Sequence, residues 1–156
     1  MMIREIRESE LSDLLRLYEH LNKSDAPLPG ADVVNSVWAA IQGNPDLKYF
    51  GVFADNALVS SCALSIIPNL TRGCRPYGVI ENVVTAPAFR RKGLGRAVLR
   101  HAMEYAWSRG CYKVMLLTGS KKEEMYRFYE SAGFDRHAKQ AFVARPPIAE
   151  EPVPHK

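Results

Sequence analysis

Residues 90–96 combine positive charge with small residues at a position where a phosphate group can bind. They read Arg90, Arg91, Lys92, Gly93, Leu94, Gly95 and Arg96. The apolar spacing of residues 93–109 predicts a helix, and residues 77–85 before it predict a strand. Free N–H groups and the helix dipole place about +0.5 charge at a helix N-terminus. Because the glycines let an anion approach the backbone, the segment predicts a cradle for a phosphate or pyrophosphate.

Two familiar phosphate-binding patterns do not fit this segment, and one structural alternative stays open. The P-loop pattern G-x-x-x-x-G-K-[ST] is absent, and Val98 stands where a dinucleotide-binding loop has its third glycine. The alternative is that both glycines only permit tight packing of a helix on a sheet. The basic residues would then form an ordinary face exposed to solvent.

The charge distribution favours a compact anionic ligand. The 156 residues carry a net charge of +4, from 21 Lys and Arg against 17 Asp and Glu. Residues 90–113 contain seven basic residues and a single acidic one, Glu104, so the remainder of the chain is slightly acidic. Positive charge concentrated in one segment suits a small polyanion, whereas binding of nucleic acid requires basic residues spread over many phosphates. We therefore expect no nucleic-acid partner.

Two motifs resemble those of the GNAT superfamily of N-acetyltransferases. Residues 90–95 match the signature R/Q-x-x-G-x-G/A, and Pro87 and Phe89 stand where that family usually has proline and an aromatic residue. Residues 127–134, Arg-Phe-Tyr-Glu-Ser-Ala-Gly-Phe, look like its second hallmark, F-Y-x-x-x-G-F. Two motifs in register on the expected elements make the resemblance specific.

The resemblance implies acetyl-CoA as the acetyl donor, held in a cleft where two parallel strands splay apart. Its pantetheine would pair with the backbone of Val83, Val84 and Thr85, and a backbone N–H near Val83 or Val84 would polarise the thioester carbonyl. The pyrophosphate would bind the N–H groups of residues 91–96. Lys122 stands where family members often have an asparagine that contacts CoA, so either Lys122 reaches a phosphate or the contact is lost. The three Cys and four His residues are scattered, and no metal is expected.

The same resemblance implies two catalytic side chains. An alkyl ammonium has a pKa near 10.4, so at neutral pH a base must take a proton from the acceptor. Glu81 precedes Val83 by two residues, which predicts that both lie on one face of the strand and makes Glu81 the candidate base. Tyr129 occupies the family's usual general-acid position, with Tyr126 as a weaker candidate. Alternatively, Glu81 is an ordinary exposed or ion-paired glutamate, and Tyr129 only packs and hydrogen-bonds CoA.

The expected acceptor is a primary amine of a small molecule, attacking directly in a ternary complex. Glu81-Asn82-Val83-Val84 and residues 110–114 are similar to strings in glucosamine-phosphate N-acetyltransferases, although Asn82 departs from the acidic residue found there. A protein or peptide N-acetyltransferase stays an alternative, as does a catalytically silent CoA-binding regulatory module. Cys111 is a poor candidate for an acyl-carrying nucleophile because no histidine partner is evident.

A mixed α/β sheet is needed to position these residues. Hydrophobic periodicity predicts a strand, two helices, three strands, a helix, a strand, a helix and a final strand region. The predicted bounds are 2–7, 11–21 (capped by Ser9 or Ser12), 32–42, 47–54, 57–68, 77–85, 93–109, 113–117, 120–133 (opened by a capping box at Ser120) and 134–145, the last as one or two strands. The expected class is α/β (α+β), with a mainly antiparallel sheet splayed between two parallel strands and helices on both faces.

Length and termini complete the sequence-based expectations. At roughly 100–200 residues per domain, the chain predicts one domain over residues 1–145, followed by a proline-rich tail over 146–156. A signal peptide needs an apolar stretch of about 7–15 residues and a membrane span about 18–20, and the sequence offers neither. We expect a cytoplasmic protein with reduced cysteines and no membrane partner, which can form a homodimer.

Overall fold

The computed structural model describes residues 1–147 and contains five strands and five helices in that range. The strands are β1 (Met2–Glu5), β2 (Leu47–Ala54), β3 (Ala57–Ile67), β4 (Tyr77–Thr85) and β5 (Val114–Leu116). The helices are α1 (Leu11–Tyr18), α2 (Ala31–Gly43), the single turn α3 (Thr71–Cys74), α4 (Leu94–Ser108) and α5 (Glu123–Ala132). Two short 3-10 helices precede α1 and α4.

The five strands form one sheet in the order β1-β2-β3-β4-β5. The first four pair antiparallel, and β4 pairs with β5 in parallel. The predicted class, a mainly antiparallel mixed sheet with one parallel pair, is therefore confirmed. The parallel pairing covers only Gly78–Ile80 of β4, so the rest of that strand has no partner on this edge within the described residues.

Helices cover both faces of the sheet, as their apolar spacing predicts. On one face, Val98, Leu99 and Ala102 of α4 are fully buried against β3 and β4. On the other face, Leu14 and Leu17 of α1 pack with α2 and the ends of the strands. Each face therefore has its own hydrophobic core, and the sheet separates the two.

Two of the cysteines, Cys62 and Cys111, are part of the hydrophobic core on the α4 face. Cys62 on β3 is completely buried, and burial raises the pKa of its thiol to about 12. Cys111 is also buried, which raises the pKa of its thiol above the ordinary range. A thiol that stays protonated is a weak nucleophile, so neither residue is suited to carry an acyl group.

A β-bulge at Asn82 puts Glu81 and Val83 on opposite faces of the sheet. Ser61 of β3 pairs with Val84, while Ala63 pairs with Glu81, so three steps on β4 match two on β3. Asn82 supplies the extra residue and has a left-handed φ of 53°. Glu81 consequently shares the α1 face with Val84 and not the α4 face with Val83. The expectation that Glu81 and Val83 lie on one face was wrong because the bulge breaks the alternation.

Both predicted serine caps were wrong. Helix α1 begins at Leu11, and the preceding turn is closed by Glu10, whose carboxylate accepts a hydrogen bond of 2.8 Å from the Arg7 N–H. Helix α5 begins at Glu123 with Lys122 as its N-cap residue. Ser120 instead accepts a 3.3 Å hydrogen bond from the Lys122 N–H, which places its hydroxyl in the loop before the helix. The C-terminal end of α5 at Gly133, with φ 110°, agrees with prediction.

Residues 134–145 form no strand, which corrects the expected final strand region. Arg136 donates hydrogen bonds to the carboxylates of Glu123 and Glu130 at 2.6–2.9 Å and so holds the segment after Gly133 against α5. Further along, the side chain of Phe142 is 91% exposed. The contacts of Arg136 hold this part of the chain against α5, and no residue of 134–145 pairs with the sheet. The predicted tail, 146–156, lies outside the described residues except for its first two positions.

Candidate active site

A cleft of about 780 Å³ opens where β4 loses its partner, between this strand, the N-terminus of α4 and helix α5. It brings together nearly all the predicted cofactor-binding residues. Those lining it are Val83, Val84, Thr85, Arg90, Arg91, Gly93, Leu94, Gly95, Arg96, Lys122 and Tyr129. Residues that are 40 positions apart in sequence therefore meet in one site because β4, α4 and α5 converge there.

The loop before α4 is shaped to present backbone N–H groups. Arg91 and Gly93 adopt left-handed φ angles of 61° and 78°, which turn the chain tightly into the helix. The N–H groups of residues 91–96 donate to no backbone acceptor in the described chain, and the first helical hydrogen bond runs from Ala97 to the Gly93 carbonyl at 3.0 Å. Consecutive free N–H groups at a helix N-terminus form a concave anion site. The geometry thus fits the pyrophosphate of CoA.

Two of the four basic side chains of this loop have structural contacts. The Arg90 guanidinium donates from Nε to the Thr85 carbonyl at 3.1 Å and fastens the loop to the end of β4. The Lys92 ammonium lies 5.0 Å from the centre of the Phe89 ring and does not line the cleft. Arg91 and Arg96 are exposed and line the cleft, so their charges are the ones available to phosphate oxygens.

Gly95 is required by packing as well as by access to the backbone. A Cβ at this position would lie 3.0 Å from Phe128 Cζ and 3.2 Å from Thr85 Oγ1. The structure therefore supports both readings of this glycine, close packing and an open cradle. Even the smallest side chain would therefore press against the ring of Phe128 and require a shift of that ring or of α4.

Substitution Gly95→Ala should lower the free energy of unfolding by about 1–3 kcal/mol, since overpacking a close contact costs this much. It should also raise the KM for acetyl-CoA, because α4 carries the N–H groups of the cradle. Urea unfolding and steady-state kinetics measure the two effects. Gly43→Ala is the matched control, because a Cβ there meets nothing within 4 Å. Equal stability and KM in Gly95→Ala and wild type would contradict the packing argument.

The free edge of β4 offers hydrogen-bonding groups for an extended ligand. The Ala86 N–H donates to Val59 on β3 at 2.9 Å, and the Val84 carbonyl accepts from Ser60 Oγ at 3.0 Å. Successive residues of a strand direct their backbone groups to opposite edges. Val83 and Thr85 therefore direct theirs into the cleft, where the Thr85 carbonyl is occupied by Arg90. The backbone groups of Val83 and the Thr85 N–H therefore face the cleft on the free edge of the strand.

Tyr129 faces this edge from α5, within an aromatic cluster. Its ring centre lies 5.0 Å from that of Phe128 and 6.4 Å from that of Phe134. Burial, and secondarily the nearby carboxylate of Glu81, raises the pKa of Tyr129 above its ordinary value. The phenol consequently keeps its proton at neutral pH. The same effect places Glu81 within electrostatic range of Tyr129, although Glu81 is exposed and does not line the cleft.

The sequence did not reveal every residue of the cleft. His20 and Leu21, which follow α1, line it on the side opposite to α4. Glu124 and Ser131 of α5 also line it, together with Met125 and Phe128. The sequence predicts His20 and Leu21 within a helix over 11–21, whereas α1 ends at Tyr18, so the predicted end of this helix was wrong and only the structure places them at the cleft. Within residues 1–147, no cluster of three or more metal-ligating side chains occurs.

None of the helices in the described range has the length and apolar character needed to cross a membrane.

The chain also resembles known proteins over most of its length. The model of the acetyltransferase (GNAT) family matches residues 10–134. Glucosamine 6-phosphate N-acetyltransferase of Trypanosoma brucei brucei is 37% identical over 138 residues, which cover 88% of this chain and 91% of that protein.

Two solved structures extend the comparison to the fold. One, from Agrobacterium tumefaciens, is 43% identical with a TM-score of 0.87, covering 94% of this chain and 100% of that one. Glucosamine-6-phosphate N-acetyltransferase from Arabidopsis thaliana is 26% identical with a TM-score of 0.74, covering 92% and 97%. With the family match and the cleft geometry, these similarities show that the chain belongs to the GNAT family and is an acetyl-CoA-dependent N-acetyltransferase.

Proposed function

We propose that the protein transfers the acetyl group of acetyl-CoA to a primary amine of a small molecule, by direct attack in a ternary complex. The observation that carries this proposal is the single cleft in which the anion cradle of α4, the free edge of β4 and Tyr129 meet. It has room for a donor at one end and an acceptor at the other.

The donor end is assigned from the groups that line it. The N–H groups of residues 91–96, with Arg91 and Arg96, would hold the pyrophosphate, and the backbone of Val83 and Thr85 would pair with pantetheine. The Val83 N–H, which points to the open edge, would polarise the acetyl carbonyl. When bound, acetyl-CoA supplies an activated acyl group with a thiolate as leaving group. Lys122, at the start of α5, would add a positive charge beside the cradle.

Direct transfer is favoured because no cysteine lines the cleft in the described part of the chain. Cys62 and Cys111 are buried with raised thiol pKa values, and Cys74 lies on the turn α3, where its thiol contacts the Leu70 carbonyl. The acceptor amine would therefore attack the acetyl group itself. Glu81 would take the amine's proton and Tyr129 would protonate the leaving sulfur.

An amino sugar phosphate is the acceptor class to examine first. The trypanosomal relative, whose name specifies glucosamine 6-phosphate, aligns with 88% of this chain. The Glu81-Asn82-Val83-Val84 string lies at the bulge of β4, so the resemblance to this group of enzymes falls on the residues beside the proposed reaction centre. This placement favours a small amine over a peptide or protein acceptor.

The test is the release of free thiol from acetyl-CoA over a panel of amines that includes glucosamine 6-phosphate, amino acids, polyamines and peptides. We expect amine-dependent thiol release with an amino sugar phosphate, together with the N-acetyl product in a mass spectrum. Turnover of peptides alone would support the protein N-acetyltransferase alternative. Tight binding of CoA without turnover of any amine would support the silent module.

A further inference from the structure

Two consecutive residues of β3, Ser60 and Ser61, are polar and fully buried. Both are 0% exposed. Buried hydroxyl groups normally have hydrogen-bond partners, and the two serines differ in this respect. Within the described chain the Ser61 hydroxyl has no partner, whereas the Ser60 hydroxyl has two, both on β4. Of the two, Ser60 therefore links β3 through its side chain to the strand that borders the cleft.

The Ser60 hydroxyl holds the C-terminal end of β4. Its Oγ lies 3.0 Å from the Val84 carbonyl oxygen and 2.8 Å from Thr85 Oγ1. A carbonyl can only accept, and each hydroxyl has a single hydrogen. Ser60 consequently donates to Val84, and Thr85 donates to Ser60. The hydrogen of the Thr85 hydroxyl is therefore not available to a ligand in the cleft.

Thr85 is the residue at which the free edge of β4 meets the anion cradle. Its carbonyl accepts the hydrogen bond from Arg90 Nε at 3.1 Å, which fastens the loop before α4. Its Oγ1 lies beside the first turn of α4, 3.2 Å from the position that a Cβ on Gly95 would take. The same Oγ1 is bonded to the buried Ser60 hydroxyl, so the position of Thr85 is fixed relative to β3. Ser60 thus acts on the strand edge and on the cradle through one neighbour.

We propose that Ser60 is a positioning residue for the donor: its hydroxyl fixes the free edge of β4 relative to the anion cradle, so that pantetheine and pyrophosphate bind at the same time. This inference rests on the proposed function, which places the two parts of CoA at these two subsites. A ligand of two linked parts gains affinity when both subsites are held at the spacing of the linker. The bulge at Asn82 makes the pairing of β3 with β4 irregular just before this point, so a side-chain contact is needed there.

The test measures the Kd of the intact donor and of its two parts in wild type and in Ser60→Ala. The ligands are acetyl-CoA, acetyl-pantetheine for the β4 edge, and adenosine 3′-phosphate 5′-diphosphate for the cradle. We expect Ser60→Ala to weaken the binding of acetyl-CoA about tenfold, as the loss of one hydrogen bond should. The Kd of each part should change by less than about twofold, because each subsite by itself stays intact. Calorimetric titration gives these constants without an acceptor.

Two further variants separate this role from packing. Thr85→Val keeps nearly the same shape and removes the hydroxyl, so it should reproduce the selective loss, and adding Ser60→Ala to it should change little more. Because Thr85 is only half-buried, this variant also provides the comparison if Ser60→Ala fails to fold. Ser61→Ala removes an equally buried hydroxyl without a partner and should keep the wild-type Kd for all three ligands.

Three results would overturn the positioning role. They are an unchanged Kd for acetyl-CoA in both Ser60→Ala and Thr85→Val, an equal weakening of acetyl-CoA and of either part, and the same selective loss in Ser61→Ala. Turnover is measured separately with the panel of amines. A wild type that binds acetyl-CoA but acetylates no amine would contradict the proposed transfer, while a selective loss in Ser60→Ala would still support the positioning role.

Discussion

Glu81→Gln should lower kcat at pH 7 by about 10²–10⁴-fold, the range expected when a general base is removed. Glutamine has nearly the same shape but cannot accept a proton, so the KM for acetyl-CoA should stay close to that of wild type. The acceptor must then lose its proton to water. The rate of the variant should accordingly rise with pH towards the pKa of the amine, and the difference from wild type should shrink at alkaline pH.

The measurement is kcat/KM for the best acceptor between pH 6 and 9, with Glu104→Gln on the exposed side of α4 as the control. Glu104 is remote from the cleft and should give the wild-type profile. A glutamine variant at position 81 that keeps wild-type activity over this whole range would exclude Glu81 as the base. Glu81 lies on the α1 face of the sheet, opposite to the face on which Ile80 packs against α4.

Local sequence patterns predicted the parts of the site that depend on one segment. The glycine-rich loop and the helix after it were identified because charge, small residues and apolar periodicity all occur within residues 90–109. The fold class followed from element order, which short connections largely determine. Gly133 was recognised as a helix end because a left-handed residue there favours glycine.

The features that the sequence concealed depend on contacts between distant segments. The bulge lies within a run of apolar residues, Val83 and Val84, whose pattern is compatible with a regular strand, so only the pairing with β3 reveals it. Lys92 belongs to the basic motif, but its interaction with Phe89 removes it from the cleft. Residues 134–145 were expected to form one or two strands, but the ion pairs of Arg136 hold the segment after Gly133 against α5.

The bulge of β4 and the cleft beside it bear on how the two proposed ligands would be separated. The free edge of β4 would supply backbone groups to the donor, while Glu81 lies on the α1 face, opposite Ile80. A regular strand would keep Val83 on the same face as Glu81, whereas the extra residue turns the Val83 side chain towards α4. The proposed base would therefore lie on the face of β4 opposite to α4, which carries the anion cradle.

Tyr129→Phe should lower kcat by about 10²-fold and leave the KM for the acceptor unchanged, because the departing thiolate loses its proton donor. The pKa of Tyr129 is raised above the ordinary tyrosine value near 10, so the phenol keeps its proton throughout the neutral range and can act as an acid there. The loss should therefore be uniform between pH 6 and 9, in contrast to the pH-dependent loss in Glu81→Gln.

Tyr126→Phe is the matched control for this prediction, since Tyr126 lies on the same helix but outside the cleft, with its ring 4.9 Å from the Arg136 guanidinium. If Tyr129 only packs against CoA, its phenylalanine variant would keep kcat and raise the KM for acetyl-CoA. A fall in kcat alone, absent from Tyr126→Phe, assigns proton donation to Tyr129. A pH-dependent loss in Glu81→Gln and a uniform loss in Tyr129→Phe would then distinguish the base from the acid.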